Sequence, residues 1–471
     1  MPKHLVCDLD DSLIQTDCIF EQWTILFKRN PVRFFGSLIW LLSGRAYFKY
    51  QLSHHTDFDA KNLPYRQSIL KVIQEFKRSN EGKVILASAS PESWVNAVAT
   101  HLNLFDHVLA SNSSTNLKGQ QKLNSIKALL GDSPWAYIGD SKADIPIWRE
   151  SSEIFAVNPS RSLQTLIDQL NKPTHYIIDQ RRPLYRLILK QIRVHQWAKN
   201  ALLLLPLFAA HQASSLELLG NGLLAFLSFS FCASLIYILN DLMDLSTDRQ
   251  HRTKQFRPFA SGELSIKWAL ILIPILGAGA VALSSTLNVQ FHFWLIAYFL
   301  MNLSYSFNLK RIAILDIVLL SIMYSIRIFA GAVATQTHVS DWLISFSSLF
   351  FFSLACTKRY TELRRSPSSN RIVGRGYMYE DAIYIQSLGI GSGLLSVLIF
   401  MLYIHSPEVR ALYHHPEILW GTSTLLLYWI SRLWLLSHRD QMNDDPVLFA
   451  IKDRTSWICL GLILILGVLA L

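Results

Sequence analysis

The feature that most constrains this chain is a series of nine apolar segments in its carboxyl-terminal part, separated by loops of very unequal charge. The loops after the even-numbered segments, counted through Lys267 at the start of the third segment, together hold sixteen Lys and Arg residues, whereas the alternate loops hold only Arg410. Because positive charge accumulates on the cytosolic side of membrane proteins, this asymmetry predicts an all-α polytopic membrane domain whose basic loops face the cytosol. The segments are 200–214, 217–239, 267–286, 291–307, 312–335, 342–356, 384–405, 417–436 and 457–471.

The composition agrees with a membrane location and argues against other classes. Apolar residues make up 51% of the 471 residues and charged residues 17%, which is more hydrocarbon than a soluble enzyme needs. The net charge is +10, but the basic residues lie between long apolar runs. Nucleic-acid binders carry such residues on polar surfaces, so we expect no nucleic-acid partner. The five cysteines form no CxxC pattern and predict neither disulfides nor a zinc site. The start, MPKHLVCDLDD, has no signal-peptide pattern, so we expect a cytosolic first domain.

Residues 1–172 have the alternation of a soluble α/β domain. Short apolar strands are predicted at His4–Cys7, Lys83–Ala87 and Trp135–Ile138, with longer helical stretches between them. Strands that alternate with helices indicate a parallel sheet.

Two further segments complete the predicted organisation. Between the first two strands lies FFGSLIWLLSGRAYF, which is too short to cross about 30 Å of hydrocarbon, and we interpret it as a helical cap that touches the membrane surface. Residues 173–199 form a basic juxtamembrane linker before the membrane domain at 200–471. The basic residues of the linker are Arg181, Arg182, Arg186, Lys190, Arg193 and Lys199.

Polar residues follow the predicted strands where a parallel sheet collects ligand-binding side chains. Asp8 ends the first strand and Asp10 lies two residues later, so both carboxylates can emerge at the carboxyl end of the sheet. Any one such residue is more often a solvated turn or a helix cap. The later members of the series are Ser88, Lys122, Asp140 and Asp144.

In this order the residues resemble the four motifs of the haloacid dehalogenase (HAD) phosphatase superfamily, over residues 1–172. The resemblance implies that Asp8 is the nucleophile and that Asp10 acts as general acid and then general base. It also implies that Asp8, Asp140 and the backbone carbonyl of Asp10 hold Mg²⁺, with Asp144 nearby. Chemically, a cation is needed because a carboxylate cannot otherwise approach a phosphate dianion.

The resemblance gives two further residues a place beside the phosphate. Ser88 and Lys122 would contact its oxygens, and Lys118 is an alternative for the lysine role. An inert, structural HAD domain is the other interpretation, although no motif position is visibly broken.

A second acidic cluster lies at the predicted cytosolic end of the second apolar segment, in YILNDLMDLSTDRQHRTKQFRPFASG. In helical geometry Asp241, Asp244 and Asp248 fall on one face, with Asn240 beside them. Three carboxylates there would repel one another, and oxygen-only ligands favour Mg²⁺ as the cation that relieves this repulsion. A solvated acidic helix end is the alternative, but the basic residues that follow suit a diphosphate better.

The pattern NDxxDxxxD followed by RPFASG resembles the UbiA-type intramembrane prenyltransferase superfamily, over about residues 190–471. The resemblance implies a nine-helix bundle with its active site at the cytosolic face. Aromatic prenyltransferases of this superfamily carry a second aspartate-rich motif after the sixth helix. Here that loop, TKRYTELRRSPSSNRIVGRGYMYEDA, has no DxxxD and six Lys and Arg residues, so it suits anions rather than a second metal.

Together with RVHQWAKN, YSFNLKRIAILD and KRYTEL, the motif looks like the decaprenylphosphoryl-5-phosphoribose synthases. This resemblance implies transfer of 5-phosphoribose from phosphoribosyl diphosphate to a polyprenyl phosphate. Asn240, Asp241, Asp244 and Asp248 would hold Mg²⁺ and diphosphate. The other residues implied are Lys254 and Arg257 for the donor phosphates, Lys358, Arg359 and Glu362 for the acceptor, and Lys199 and Lys310 in support.

Two charged residues, Asp316 and Arg327, lie inside an apolar segment, where a central charge costs on the order of 2.5 to 3.5 kcal/mol. Being eleven residues apart, they return to nearly the same helix face. We expect them near a functional cavity, with a structural anchor as the alternative.

Placing both sites on the cytosolic side predicts two successive reactions, in which the phosphatase domain removes the ribose 5-phosphate from the lipid product. We expect the protein to lie in a bacterial inner membrane and its product to be a precursor of cell-envelope polysaccharide. A homo-oligomer is compatible with the sequence. One alternative is an aromatic prenyltransferase for quinones or haem. Another is a non-catalytic lipid-binding scaffold, which the two intact clusters disfavour.

Overall fold

A computed structural model describes residues 2–79, 82–112, 115–179, 182–365, 375–442 and 445–471. Arg181 of the basic linker, and Arg371, one of the six basic residues in the loop after the sixth segment, lie outside this set. The chain divides into two compact units, each built from two stretches: Met1–Ile192 with Tyr237–Pro274, and Arg193–Ile236 with Ile275–Leu471.

The first unit is organised around a parallel sheet, as predicted, and this sheet has six strands. Its strands are β1 (His4–Cys7), β2 (Val84–Pro91), β3 (His107–Ser111), β4 (Trp135–Gly139), β5 (Glu153–Val157) and β6 (Thr174–Ile177). They are arranged in the order β3-β2-β1-β4-β5-β6. The chain moves outward from β1 in both directions, and ligand sites form where the strand order reverses in this way. The carboxyl end of β1 is therefore the expected position of a site.

Helices alternate with the strands of this sheet along the chain. The residues of β1 and β4 are buried along their whole length, which explains their continuous apolar sequence. Four helices, α1 to α4, lie between β1 and β2 in the chain, and the first three of them include the segment that the sequence predicted as a cap. The helices before the second unit are α1 (Cys18–Arg29), α2 (Pro31–Leu42), α3 (Arg45–His55), α4 (Gln67–Ser79), α5 (Glu92–Leu102), α6 (Gln120–Leu130), α7 (Ile145–Glu150), α8 (Arg161–Asp168) and α9 (Leu184–Gln191).

The rest of the described chain is helical. Short helices α12 and α13 belong to the first unit. The helices are α10 (Leu205–Ala209), α11 (Leu216–Met243), α12 (Leu245–Gln250), α13 (Pro258–Ser261), α14 (Ala269–Ser284), α15 (Val289–Phe307), α16 (Leu315–Ala334), α17 (Asp341–Arg365), α18 (Asp381–Ile404), α19 (Pro407–Leu412), α20 (Leu419–His438), α21 (Pro446–Lys452) and α22 (Arg454–Ala470).

Four helices in the described part of the chain are long and apolar enough to cross a membrane, or five if the bent pair α21 and α22 counts as one span. The four are Leu216–Met243, Ile266–Ser284, Leu315–Ala334 and Asp381–Ile404. The first predicted segment, 200–214, differs from expectation, because 3-10 turns at Val194–Leu204 lead into the short α10. Pro206 lies at the start of α10, where its ring suits a first helical turn but not a helix interior. The count of nine remains a prediction.

Candidate active sites

The carboxyl end of β1 brings together the predicted nucleophile and its lysine. After β1 the chain turns tightly, with Asp11 at φ 56°, and the Asp8 carboxylate accepts a hydrogen bond from the amide of Leu9 at 2.8 Å. Lys122, from α6, places its Nζ 3.0 Å from Asp8 Oδ1. An ammonium group at this distance can neutralise the nucleophile and contact a phosphate bound in front of it.

Lys122 is nearly enclosed by the site, whereas Lys118 is exposed on the cavity wall. Lys122 Nζ also lies 3.1 Å from the Tyr137 hydroxyl and 4.0 Å from Asp144. Burial lowers the pKa of Lys122, but the Asp8 and Asp144 carboxylates outweigh burial and raise it overall. This geometry favours Lys122 for the lysine role. Tyr137, which the sequence analysis missed, donates to Asp144 at 2.9 Å.

Asp8, Asp140 and Asp144 form the one group of three potential metal-ligating residues among the described residues, with one oxygen of each lying within 4.8 Å of the others. Burial, followed by Asp144 and Asp10, raises the pKa of Asp8 to about 7, although Lys122 opposes this shift. Burial and Asp144 also raise the pKa of Asp140. Crowded, buried carboxylates of this kind are stabilised by a divalent cation, and an all-oxygen donor set fits Mg²⁺.

Asp10 is held by groups from two other elements. Its Oδ1 accepts from the amide of Cys18 at 2.8 Å, and its Oδ2 accepts from Ser90 at 2.7 Å and Ser88 at 3.2 Å. Burial, followed by the charge of Asp17, raises the pKa of Asp10, as a general acid requires. Ser88, which the sequence predicted as a phosphate contact, therefore orients Asp10 in this structure. Ser90, two residues further along the same strand, also binds Asp10 and was not predicted as a site residue.

A cavity of about 600 Å³ opens in front of these carboxylates. Helices α1 to α3 contribute part of its wall, so the predicted cap lies beside the site. Residues from the segment after α13 line it as well. The cap residues on the wall are Ile19, Phe20, Trp23, Leu41, Arg45, Phe48 and Lys49, and the later residues are Lys267 and Leu270.

The predicted aspartate motif belongs to this same unit, and two of its carboxylates share one arginine. Arg257 Nη1 lies 3.0 Å from Asp241 Oδ1 and also binds Asp248. The other oxygen of Asp241 accepts from Gln191 Nε2 at 2.8 Å. Asp241 and Asp248 are both almost fully buried, so the guanidinium offsets a repulsion that would otherwise be large.

The continuous helix expected through this motif is interrupted at Asp244, which lies at the start of α12 after α11 ends at Met243 and makes no side-chain capping hydrogen bond. Aspartate is a weak helix former that favours helix starts. Two buried amide oxygens, Asn240 Oδ1 and Gln191 Oε1, find no hydrogen-bond partner among the described residues. Unsatisfied buried oxygens are uncommon. Amide and carboxylate oxygens are donor types that suit Mg²⁺, but within the described residues Asp241, Asp244 and Asp248 do not form a group of three carboxylates close enough to share one ion.

The segment that follows the motif packs on the sheet domain within the first unit. Arg249 forms a bidentate pair with Glu21 of α1, with Nη2–Oε1 and Nη1–Oε2 distances of 2.6 and 3.1 Å. Lys267 Nζ lies 3.2 Å from Asp11 and 3.1 Å from Asp17. Gly262 has φ +78°, and a Cβ there would lie 2.8 Å from the Gln15 carbonyl oxygen, so only glycine fits.

In the second unit, Arg359 is fully buried in an ion-pair network. Its Nη2 lies 2.5 Å from Asp316 Oδ2, and both side chains are inaccessible to solvent. Arg359 Nη1 binds Glu362, and Tyr377 donates to Asp316. Asp316 and Arg327, expected near one cavity, thus have separate partners, since Arg327 donates to Asn200 Oδ1 at 2.8 Å. A buried pair of this kind is costly to break.

We expect Arg359→Met to lower the free energy of unfolding by about 3 to 5 kcal/mol, because it leaves the Asp316 carboxylate buried without its cation. Denaturant unfolding of the purified chain in mixed micelles measures the change. Arg364→Met is the matched control, since Arg364 is partly exposed and 3.7 Å from Asp440, and its loss should cost below about 1 kcal/mol. Equal stability of the two variants would contradict a structural role for the pair.

The remaining predicted residues are distributed over both units. Lys199 is buried and binds Asp445, and Lys358 is half-buried on α17. Lys310 lies in a 3-10 turn of the second unit. Lys254 is exposed in a turn of the first unit.

Comparisons with known proteins agree with both parts of the chain. The UbiA prenyltransferase family model matches residues 201–452, and a haloacid dehalogenase-like hydrolase model matches residues 5–149. The chain is 33% identical over 462 residues to the uncharacterized protein y4nM of Sinorhizobium fredii, covering 98% of this chain and 89% of that protein.

Two further proteins are similar to part of the chain. Decaprenyl-phosphate phosphoribosyltransferase of Mycobacterium tuberculosis is 32% identical over 223 residues, which cover 46% of this chain and 73% of that protein. A solved UbiA homologue from Archaeoglobus fulgidus, bound to DMAPP and Mg²⁺, has a TM-score of 0.46 at 15% identity, covering 59% of this chain and 98% of that one. The UbiA family match extends over more than half of this chain. With its apolar helices, the chain is a multi-pass membrane protein that belongs to the UbiA prenyltransferase family and carries a haloacid dehalogenase-like hydrolase domain at its amino-terminal end.

Proposed function

We propose that the chain transfers 5-phosphoribose from phosphoribosyl diphosphate to a polyprenyl phosphate of the decaprenyl type, and that the HAD domain then removes the ribose 5-phosphate. The observation that carries the proposal is the buried Asp241 carboxylate, which contacts Arg257 and Gln191, next to the unpartnered amide oxygen of Gln191; oxygen ligands and an arginine together suit a metal-bound diphosphate. The similarity to phosphoribosyltransferases supports the choice of substrates. The loop after α17 also supports it, because its sequence lacks a second aspartate motif.

The transfer is a displacement at the anomeric carbon of the ribose. An oxygen of the polyprenyl phosphate forms a bond to this carbon while the bond to diphosphate breaks. Asn240, Asp241, Asp244 and Asp248 would hold Mg²⁺, which supplies charge stabilisation for the leaving diphosphate. The donor phosphates would be bound by Lys254 and Arg257. The acceptor is already an anion at neutral pH, so positioning and leaving-group stabilisation can supply much of the rate without a strong base.

The residues proposed for the acceptor side have different burial. Lys358 is half-buried, and we assign it to the lipid phosphate with Lys310 in support. Arg359 is enclosed by Asp316 and Glu362, so we assign it a positioning role that acts through Glu362. Lys199 would support the site through Asp445.

In the second reaction, Asp8 attacks the phosphorus of the ribose 5-phosphate monoester. The bond from phosphorus to the ribose oxygen breaks, and Asp10 gives that oxygen a proton. Asp10 then takes a proton from water, which hydrolyses the aspartyl-phosphate and releases inorganic phosphate. Mg²⁺ held by Asp8, Asp140 and the Asp10 carbonyl, with Asp144 nearby, would screen the approach of the two anions. Lys122 would contact the phosphate, and Ser88 would orient Asp10.

The proposed membrane topology is based on the distribution of positive charge among the loops. We propose nine transmembrane helices within 200–471, a linker at 173–199 and a cytosolic domain at 1–172, in a bacterial inner membrane. The excess of Lys and Arg in alternate loops of the sequence supports this topology. The product would be a lipid-linked ribose for cell-envelope polysaccharide.

Incubating membranes that contain the chain with Mg²⁺, ribose-labelled phosphoribosyl diphosphate and polyprenyl phosphate tests the proposal. We expect label in the lipid fraction, dependent on both substrates and abolished by a chelator. If a prenyl diphosphate and an aromatic acceptor react under the same conditions while no ribose label enters lipid, the chain is an aromatic prenyltransferase instead.

Gln191→Leu should lower the rate of transfer about tenfold and raise the Mg²⁺ concentration needed for half-maximal rate, because outer ligands of metal sites typically contribute 10- to 100-fold. Gln191 holds Asp241 and presents a free amide oxygen. A Mg²⁺ titration of the transfer rate provides the measurement. Gln74→Leu, the same substitution at an exposed position of α4, is the control, and an unchanged titration in Gln191→Leu would remove Gln191 from the site.

A further inference from the structure

The cavity in front of Asp8 is larger than a small phosphate monoester requires, and part of its wall is basic. Its volume of about 600 Å³ falls in the range of roughly 300–1,000 Å³ that encloses drug-sized ligands. Five Lys and Arg side chains line it, together with six Asp side chains that include those of the predicted phosphatase site. Lys122 is paired with Asp8, and Lys267 is paired with Asp11 and Asp17. Three cations are therefore left for another partner.

These three cations are Arg45, Lys49 and Lys118, and no described carboxylate lies within ion-pair distance of any of them. Lys49 is half-buried and donates to the Ala89 carbonyl oxygen at 2.5 Å, and burial lowers its pKa. Arg45 and Lys118 are exposed at the wall of the cavity. A group of unpaired cations beside a phosphatase centre can bind a second anion on the same substrate.

The cavity also has an apolar wall that includes Leu41 of α2. This helix exposes Val32, Phe35, Ile39 and Leu42, with exposed fractions of 83, 62, 67 and 87%. Their spacing places them along one side of the helix. An apolar helix side of this kind next to basic residues fits the boundary between lipid headgroups and acyl chains. The basic residues nearby in the sequence are Lys28, Arg29, Arg33 and Arg45.

We propose that this cavity takes a phosphate monoester that is carried on a membrane lipid through a phosphodiester. The monoester lies at Asp8, and the phosphodiester lies against Arg45 and Lys118. The lipid passes along the apolar wall toward α2, whose exposed side rests on the bilayer surface. Asp8 and Asp10 cleave only the monoester, as described above, and the phosphodiester stays intact. This assignment deepens the proposed phosphatase function and rests on it for the identity of the lipid.

The test compares two supplied substrates on the purified full chain in phosphatidylcholine nanodiscs. One is p-nitrophenyl phosphate, and the other is a synthetic citronellyl phosphodiester of ribose 5-phosphate. We expect Arg45→Gln and Lys118→Gln each to lower the ratio of kcat/KM, lipid-linked over small substrate, by about tenfold, since each removes one charge contact to the second anion. Lys71→Gln, exposed on α4, should leave the ratio unchanged. An unchanged ratio in both cavity variants would overturn the proposal.

The lipid contact of α2 is tested separately in the same nanodiscs. A fluorophore on Ile39→Cys should be quenched strongly by nitroxide-labelled lipids, and one on Lys71→Cys should not; the five native cysteines are all buried, so labelling is selective. Equal quenching at the two positions would overturn the membrane contact. Because the substrates are supplied, a failure of phosphoribosyl transfer would not affect either measurement, so the two proposals fail independently.

Discussion

Replacing Asp8 by Asn is expected to lower phosphate release from the lipid-linked product by roughly three orders of magnitude, because an amide cannot form the aspartyl-phosphate. Asn is close to Asp in shape and keeps an oxygen that can accept from the Leu9 amide, as Asp8 does. The variant should therefore fold. Phosphate release from the purified full chain, supplied with the lipid-linked monoester, is the measurement.

The same variant separates the two reactions. If the HAD domain acts after the transferase, Asp8→Asn should still move ribose label from phosphoribosyl diphosphate into lipid at the unaltered rate. Phosphate release that persists in the variant would show that another group is the nucleophile. Loss of both activities together, with thermal stability unchanged, would contradict the assignment of Asp8 to the second step alone.

Asp241→Ala is expected to lower the transfer of phosphoribose by about 100- to 1,000-fold, the range found when a group that stabilises leaving-group charge is removed. Asp241 is the carboxylate that both Arg257 and Gln191 contact. Its loss should therefore remove a metal ligand and release two groups that are ordered around it. Initial rates of label transfer at saturating Mg²⁺ measure the effect.

Glu217→Ala provides the matched control, because Glu217 is an exposed carboxylate at the other end of α11. It should transfer label at the normal rate. Thermal unfolding of Asp241→Ala must be compared in parallel, since Arg257 and Gln191 lose a partner. A folded Asp241→Ala chain with full transfer activity would exclude the acidic motif from the transferase site.

Much of the HAD-like site was predictable because its residues follow strands. A strand ending at Cys7 fixes where Asp8 emerges, and the parallel order brings the loop after β4, with Asp140 and Asp144, to the same edge. Tyr137 and Ser90 were not predicted because they lie inside strands. The sequence alone does not show whether a polar side chain within a strand points toward the site. Their roles depend on contacts with Asp144 and Asp10.

The second motif was less predictable, because its partners come from distant parts of the sequence. Asp241 contacts Gln191, fifty residues earlier, and Lys267 contacts Asp11, 256 residues away. Neither contact leaves a pattern in the nearby sequence from which it could have been predicted. Helical spacing predicted three carboxylates on one face, whereas the break at Asp244 and the bridging Arg257 result from tertiary packing. Arg359 was likewise expected to face a substrate, and only the structure reveals Asp316 as its buried partner.

The central claim is that one chain first attaches phosphoribose to a lipid and then removes its phosphate. The most direct measurement uses phosphoribosyl diphosphate labelled both in the ribose carbon and in the 5-phosphate, with polyprenyl phosphate and the intact chain. We predict that carbon label accumulates in lipid while the phosphorus label appears as inorganic phosphate, and that Asp8→Asn retains both labels in lipid. Absence of carbon label from lipid, or retention of both labels in lipid by the unaltered chain, would contradict the account.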